Sequence, residues 1–234
     1  MEVIPNILTE DECQGFLSGI WDSFEHISQT WDTPISRNSQ ESWKGFANLI
    51  PSHGMLYQHW GLGHSQAVWD IRQHPKILNV FSTFWKCKPK DLIVSYDGLS
   101  FMPPPEITGR GWHRGRDWLH VDQSYKHIGL NTIQGFITLC DVNEEDATFY
   151  YLENSERYQE EFAKEFGITN SAHWFQIKDP IHRQWYFDKG CTPKRVTCPK
   201  GSLILWDSRV VHCGLGPSKT RKTPNTRAIV YVCY

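Results

Sequence analysis

The chain predicts a mainly β domain with flanking helices (α+β), its strands closing into a sandwich or barrel. Three observations carry this reading. From about residue 91 onward, short apolar runs alternate with turn signals, the texture of strands joined by tight loops. Before that point, apolar residues recur at helical spacing behind capping residues. A length of 234 residues, with 39% hydrophobic and 21% charged side chains, suits one globular domain that buries a sizeable core. A single domain over residues 1–234 is therefore expected, helical to about residue 90 and β from about 91.

The elements follow in order. Thr9-Glu10-Asp11-Glu12 is a capping box, and Cys13, Phe16, Leu17, Ile20, Trp21 and Phe24 behind it have helix spacing. Residues 10–26 should form an amphipathic helix that covers a sheet. Residues 27–63 lack a clear period and read as long loops. A second helical stretch starts near Ser65. Pro75 opens a third, with Ile77, Leu78, Phe81, Phe84 and Trp85 on one face. Residues 92–97 read as a strand that ends in the turn around Met102-Pro103-Pro104-Pro105. Residues 134–140 and 147–152 are strands flanking the acidic turn Asn143-Glu144-Glu145-Asp146. A short helix then presents Tyr158, Phe162 and Phe166, with Gly167 past its end. Residues 195–198, 202–206 and 227–232 complete the strands.

Composition excludes several function classes. A net charge of −2 carries no basic footprint for nucleic acid or an anionic membrane. No stretch has the length of a membrane-spanning helix, and the first residues lack signal-peptide character. Seven scattered cysteines without a C-x-x-C pair fit reduced thiols, so an intracellular, cytoplasmic location is expected. Most of the 11 tryptophans should pack in the core, a few lining a pocket.

The chemistry centres on Trp118-Leu119-His120-Val121-Asp122-Gln123-Ser124. Residues two apart on a strand project to one face, so His120 and Asp122 should point together. Of eleven histidines, only His120 has an acid at that offset. An imidazole and a carboxylate are two of the three ligands of the facial triad that holds non-haem Fe(II). His212, 92 residues later on a strand that returns, is the candidate third ligand. Arg227 opens the last strand, 15 residues further on. A guanidinium aimed into an apolar barrel requires an anionic partner.

This assembly resembles the Fe(II)/2-oxoglutarate-dependent dioxygenases, and among them the phytanoyl-CoA dioxygenase (PhyH)-like family. The likeness runs over nearly the whole chain: the opening Val3 to Glu12, the pair His120 and Asp122, the strand–acidic turn–strand from Gln134 to Leu152, the run from Lys200 to Ser208 before His212-Cys213-Gly214, and Arg227-Ala228-Ile229. The resemblance implies a double-stranded β-helix (jelly roll, cupin-like) core and metal ligation by His120, Asp122 and His212. Arg227 would grip the 2-oxoglutarate carboxylate, with Asn131 and Gln134 as further hydrogen-bonding candidates. By the family's chemistry, 2-oxoglutarate and O2 take the three remaining iron positions, releasing succinate and CO2 as a C–H bond of a small-molecule substrate becomes an alcohol. Related halogenases lack the carboxylate ligand, so Asp122 favours hydroxylation.

Trp118 is placed to flank the metal. The cluster Arg110, His113, Arg114 and Arg116 could grip an anionic substrate, or form a solvated loop. Two departures from the family pattern stand out. Glu153-Asn154-Ser155-Glu156 replaces the usual P-G-S-H-like turn, and a polar insert, residues 219–225, lengthens the path from His212 to Arg227. Arg221 in that insert competes for the arginine role, although a basic run is expected to be a solvated face. Two rival functions remain: a cupin-like metal enzyme that does not use 2-oxoglutarate, and a catalytically silent jelly roll that binds a ligand. Pocket shape should come from loops 27–63, 98–117 and 168–194.

Overall fold

A computed structural model describes residues 1–53, 55–109, 117–169 and 171–234. Eleven strands form two antiparallel sheets among these residues. The first sheet has six strands in the order β1 (Glu2–Ile4), β9 (Leu203–Asp207), β5 (Ile133–Thr138), β11 (Arg227–Tyr231), β3 (Leu99–Met102), β2 (Leu56–Tyr57). The second has five: β7 (Phe175–Gln176), β4 (His120–Val121), β10 (His212–Leu215), β6 (Thr148–Glu153), β8 (Thr192–Arg195). This is the expected mainly β core of two packed sheets.

Alternation along the strands decides what each sheet shows to either side. In the first sheet, Leu203, Leu205, Ala228, Val230 and Ile137 turn outward to α1 (Glu10–Ser28), α2 (Gln66–Arg72) and α3 (Pro75–Trp85), packing with Ile20, Phe24, Ile71, Ile77 and Phe81. Their neighbours Ile204, Trp206, Ile229 and Phe136 turn inward and meet Phe149 and Tyr151 of the second sheet. The second sheet's outer residues Leu119, Val121, Leu152, Val211 and Cys213 pack with Phe162 of α5 (Gln159–Glu165) and Tyr186 of α6 (Pro180–Asp188). Helices thus cover both outer faces, and the space between the sheets is left for a site.

The capping box forms: Thr9 Oγ1 accepts the Glu12 N–H at 3.2 Å, and Glu12 Oε2 accepts the Thr9 N–H at 2.8 Å. Buried Phe24 sits amid Phe46, Phe101 and Tyr57 at ring separations of 4.9, 5.0 and 5.4 Å. Such edge and tilted aromatic contacts add to simple burial. Gly167 has φ 60° just past α5, as a helix-ending glycine should.

Two expectations about elements are corrected. Residues 92–97 are not a strand; the strand is β3, four residues that include Met102, which was assigned to the turn. Ile93 and Tyr96 are exposed, because this segment has apolar residues but no ladder neighbour beyond one bond from the Ser95 N–H to the Cys233 carbonyl. Phe84 lies on the solvent side of α3, 45% exposed, since Ile77 and Phe81 already fill the buried stripe. The helix α6 was not anticipated; Asp179 caps it by accepting the Ile181 N–H at 2.8 Å.

Candidate metal centre and active site

His212 and His120 stand directly opposite each other on paired strands β10 and β4. Both turn inward, and Asp122 follows β4 to complete a cluster whose donor atoms lie within 4.8 Å of one another. His120 Nε2 is 3.4 Å from Asp122 Oδ1, and His212 Nε2 is 3.4 Å from Asp122 Oδ2. The other nitrogen of each ring is committed: His120 Nδ1 to the Trp118 carbonyl at 3.1 Å, His212 Nδ1 to the Val210 carbonyl at 2.9 Å. A carbonyl only accepts, so each ring donates from Nδ1 and turns its Nε2 toward the carboxylate. Two ring nitrogens and a carboxylate thus converge on one point. The donor set therefore fits a divalent transition metal.

Electrostatics agree with that arrangement. Burial, with His212 alongside, lowers the His120 pKa to about 3 against the opposing pull of Asp122, so this ring is a neutral ligand. Burial raises the Asp122 pKa, but His212, His120 and a hydrogen bond from Gln134 outweigh it and hold the carboxyl below the usual range. Gln134 Nε2 donates to Asp122 Oδ2 at 2.8 Å. The bond fixes the orientation of the Asp122 carboxylate, while Gln134 Oε1 is buried with no partner among the described residues.

Trp118 does flank the site. Its ring stacks on His120 at 4.5 Å and 12°, and on His53 at 4.3 Å and 15°. Its Nε1 donates to the Gly214 carbonyl at 2.8 Å, tying the triad strand to β10. Arg227 enters the same cavity from β11, 6% exposed, with its guanidinium carbon 5.5 Å from the Phe136 ring centre. Nη1 donates to the Ala147 carbonyl at 3.2 Å, and Nε is buried with no partner among the described residues. Burial lowers its pKa, which marks a desolvated cation without a carboxylate beside it among the described residues. The cavity has a volume of about 360 Å³.

Two candidates lie elsewhere. Asn131 is exposed before β5, and its Nδ2 donates to the Gly129 carbonyl at 3.2 Å; it does not line the cavity. Arg221 is not on a solvated face. It is buried, with Nε 2.6 Å from Glu106 and Nη1 2.9 Å from Asp146, and it also stays outside the cavity. Arg110, His113, Arg114 and Arg116 fall outside the described residues. Residues that sequence reasoning missed come from loops: His53, Gln58, Asp97 and Trp174. Only their location in the stretches expected to shape the pocket signalled them, and Asp97 lay outside even those.

The departures from the family pattern also find their explanation. Asn154 takes a left-handed backbone (φ 68°), and the buried Ser155 hydroxyl accepts the Val211 N–H at 2.8 Å, one residue before His212. The insert is tied down by Arg221 and by Asn225 Nδ2, which donates to Asp146 at 2.7 Å.

Two antiparallel sheets enclosing a His/Asp/His cluster define a jelly-roll protein with a candidate metal centre. The chain belongs to the phytanoyl-CoA dioxygenase (PhyH) family, whose model matches residues 3–223. It is 26% identical over 191 residues to "Ava biosynthesis cluster protein O" of Aspergillus versicolor, an alignment covering 79% of this chain and 60% of that protein. Of solved structures, the non-heme alpha ketoglutarate dependent carbocyclase SnoK from nogalamycin biosynthesis superposes with TM-score 0.60 at 15% identity, over 99% of this chain and 78% of that one. HygX from Streptomyces hygroscopicus, crystallised with nickel and 2-oxoglutarate, gives 0.52 at 14% identity over 99% and 80%. At these identities the likeness speaks for the fold. No described helix is long and apolar enough to cross a membrane.

Proposed function

We propose that this chain is an Fe(II)- and 2-oxoglutarate-dependent oxygenase that hydroxylates a C–H bond of a small molecule, with release of succinate and CO2. The observation that carries this reading is the convergence of the two Nε2 atoms on Asp122 while both Nδ1 positions are tied off. His120, Asp122 and His212 would hold the iron. When bound, iron and 2-oxoglutarate would supply the oxidising chemistry, coupling decarboxylation of the cosubstrate and reduction of O2 to attack on the substrate. Arg227 would bind the far carboxylate of 2-oxoglutarate, its Nε having no partner among the described residues. Gln134 holds Asp122 in the orientation its ligand role requires. The Trp118 stack fixes the His120 ring and excludes water from that side. Asp122 supports hydroxylation over halogenation, because it fills a position that a halide would need.

Anaerobic addition of Fe(II) and then 2-oxoglutarate should produce a visible charge-transfer band. The band should vanish in Asp122→Ala or His212→Ala and require more 2-oxoglutarate in Arg227→Ala. Iron binding with no band would overturn the 2-oxoglutarate assignment in favour of a cupin-like enzyme. A His212→Ala protein that forms the band normally would overturn the triad.

A further inference from the structure

The cavity holds a second carboxylate that the cofactor chemistry leaves unused. Asp97 lines it together with Gln58 and Trp174. The segment carrying Asp97 is irregular yet held in place. Buried Arg72 donates from Nη1 to the Gly63 carbonyl at 2.9 Å and from Nη2 to the Asp97 carbonyl, and the Tyr234 hydroxyl donates to the Arg72 carbonyl. Gly98 packs so closely that a Cβ there would lie 1.9 Å from the Tyr57 carbonyl oxygen. A carboxylate is thus presented from a rigid support rather than from a mobile tip.

Its charge is incompletely matched. Asp97 Oδ1 accepts the Gly98 N–H at 2.6 Å, and the Gln58 amide also favours the ionised form. Among the described residues no cationic side chain lies within ion-pairing distance of the carboxylate. Arg72, the nearby cation, donates from Nη1 and Nη2 to backbone carbonyls and favours the ionised Asp97 only through space. Burial raises the Asp97 pKa, with Asp122 adding to the rise. In the loaded site a divalent metal offsets dianionic 2-oxoglutarate, and Arg227 offsets Asp122. Asp97 would remain as a carboxylate with no direct ion-pair partner among the described residues, in a cavity whose remaining walls include Met55, Leu56 and the half-exposed Trp174.

We propose that Asp97, assisted by Gln58, anchors a protonated amine or guanidinium of the substrate, with Trp174 covering the adjoining carbon skeleton. This inference rests on the iron and 2-oxoglutarate reading above. The substrate class is a small cationic nitrogen compound with an apolar body. Charge pairing in a partly dry cavity favours such a ligand over its neutral isostere, and an aromatic face adds to the attraction.

The test is calorimetric titration of the intact protein, loaded anaerobically with Fe(II) and 2-oxoglutarate. The probes are benzylamine, 2-phenylethylamine and hexylamine, each against the alcohol and the carboxylate of the same skeleton. At least one amine should bind about tenfold or more tighter than its alcohol, the scale of one charge-assisted hydrogen bond, and the carboxylates should bind worst. Asp97→Asn keeps an acceptor for the Gly98 N–H; it should erase the amine preference while the charge-transfer band persists, which shows that the site is intact. Amines that bind no better than alcohols, a panel in which no amine binds, or a preference that survives in Asp97→Asn each overturn the inference. A wild-type protein that forms no band overturns the functional reading first, so the two failures are separable.

Discussion

Gln134 shows how one side chain can matter without touching a ligand. Its amide donates to Asp122 Oδ2, the oxygen that faces His212, while Oδ1 faces His120. Gln134→Ala should leave the fold intact and weaken Fe(II) binding by about 10–100-fold, the usual loss when a ligand's hydrogen-bonding partner is removed; competition against a chelator reads this directly. Arg221 makes the opposite case. It is buried and pairs with buried Asp146 and with the exposed Glu106, so Arg221→Ala should cost about 1–3 kcal/mol of stability, chiefly by removing a charged partner from Asp146. Denaturant unfolding would measure that loss, and the 2-oxoglutarate requirement should move far less than in Arg227→Ala. A shift in 2-oxoglutarate affinity as large as that of Arg227→Ala would mean the two arginines share the role.

Among elements, α1 is written most plainly in the residues. Its capping box sets its start, and its apolar stripe sends Ile20 and Phe24 onto the outer face of the six-stranded sheet. Thr9→Ala should cost about 1 kcal/mol, the value of one capping interaction. Phe24→Ala should cost about 3–5 kcal/mol, because its neighbours Phe46 and Phe101 cannot collapse into the space. Equal losses from the two variants would mean that packing of α1 does not dominate its stability. Residues 92–97 show where pattern fails: Leu92, Ile93 and Val94 have strand composition, yet no neighbouring strand pairs with them.

For the molecule as a whole, the buried triad makes the metal-free protein sensitive to acid. His120 keeps a pKa of about 3 when folded but an ordinary value near 6.5 when unfolded. Below 6.5 the unfolded chain takes up a proton that the folded chain refuses, so this group removes stability as pH falls toward 3 and has no effect above 6.5. Asp122, held below its usual range, adds to the loss once the pH passes through the carboxylate region. Metal-free protein should therefore lose Tm on going from pH 7 to pH 5, and His120→Gln should flatten that slope. An unchanged slope in His120→Gln would place the acid sensitivity elsewhere. Bound Fe(II) should raise Tm at pH 7, since only the folded state gathers the three ligands.

The residues by themselves determined the helix α1, the strands β5, β6, β9 and β11, and the candidate ligands His120, Asp122 and His212 with Arg227. These follow from local rules: capping chemistry, a period of two or 3.6, and the cost of burying a charge with no partner. Only the tertiary structure decided which polar groups actually meet. It set Gln134 on Asp122 rather than toward solvent, moved Asn131 out of the cavity, and enclosed Arg221 with Glu106 and Asp146. It also brought Asp97, His53 and Trp174 to the cavity from segments without a period. The physical reason is that such loops are placed by long-range closure and side-chain pairing, and neither leaves a repeating signature along the chain.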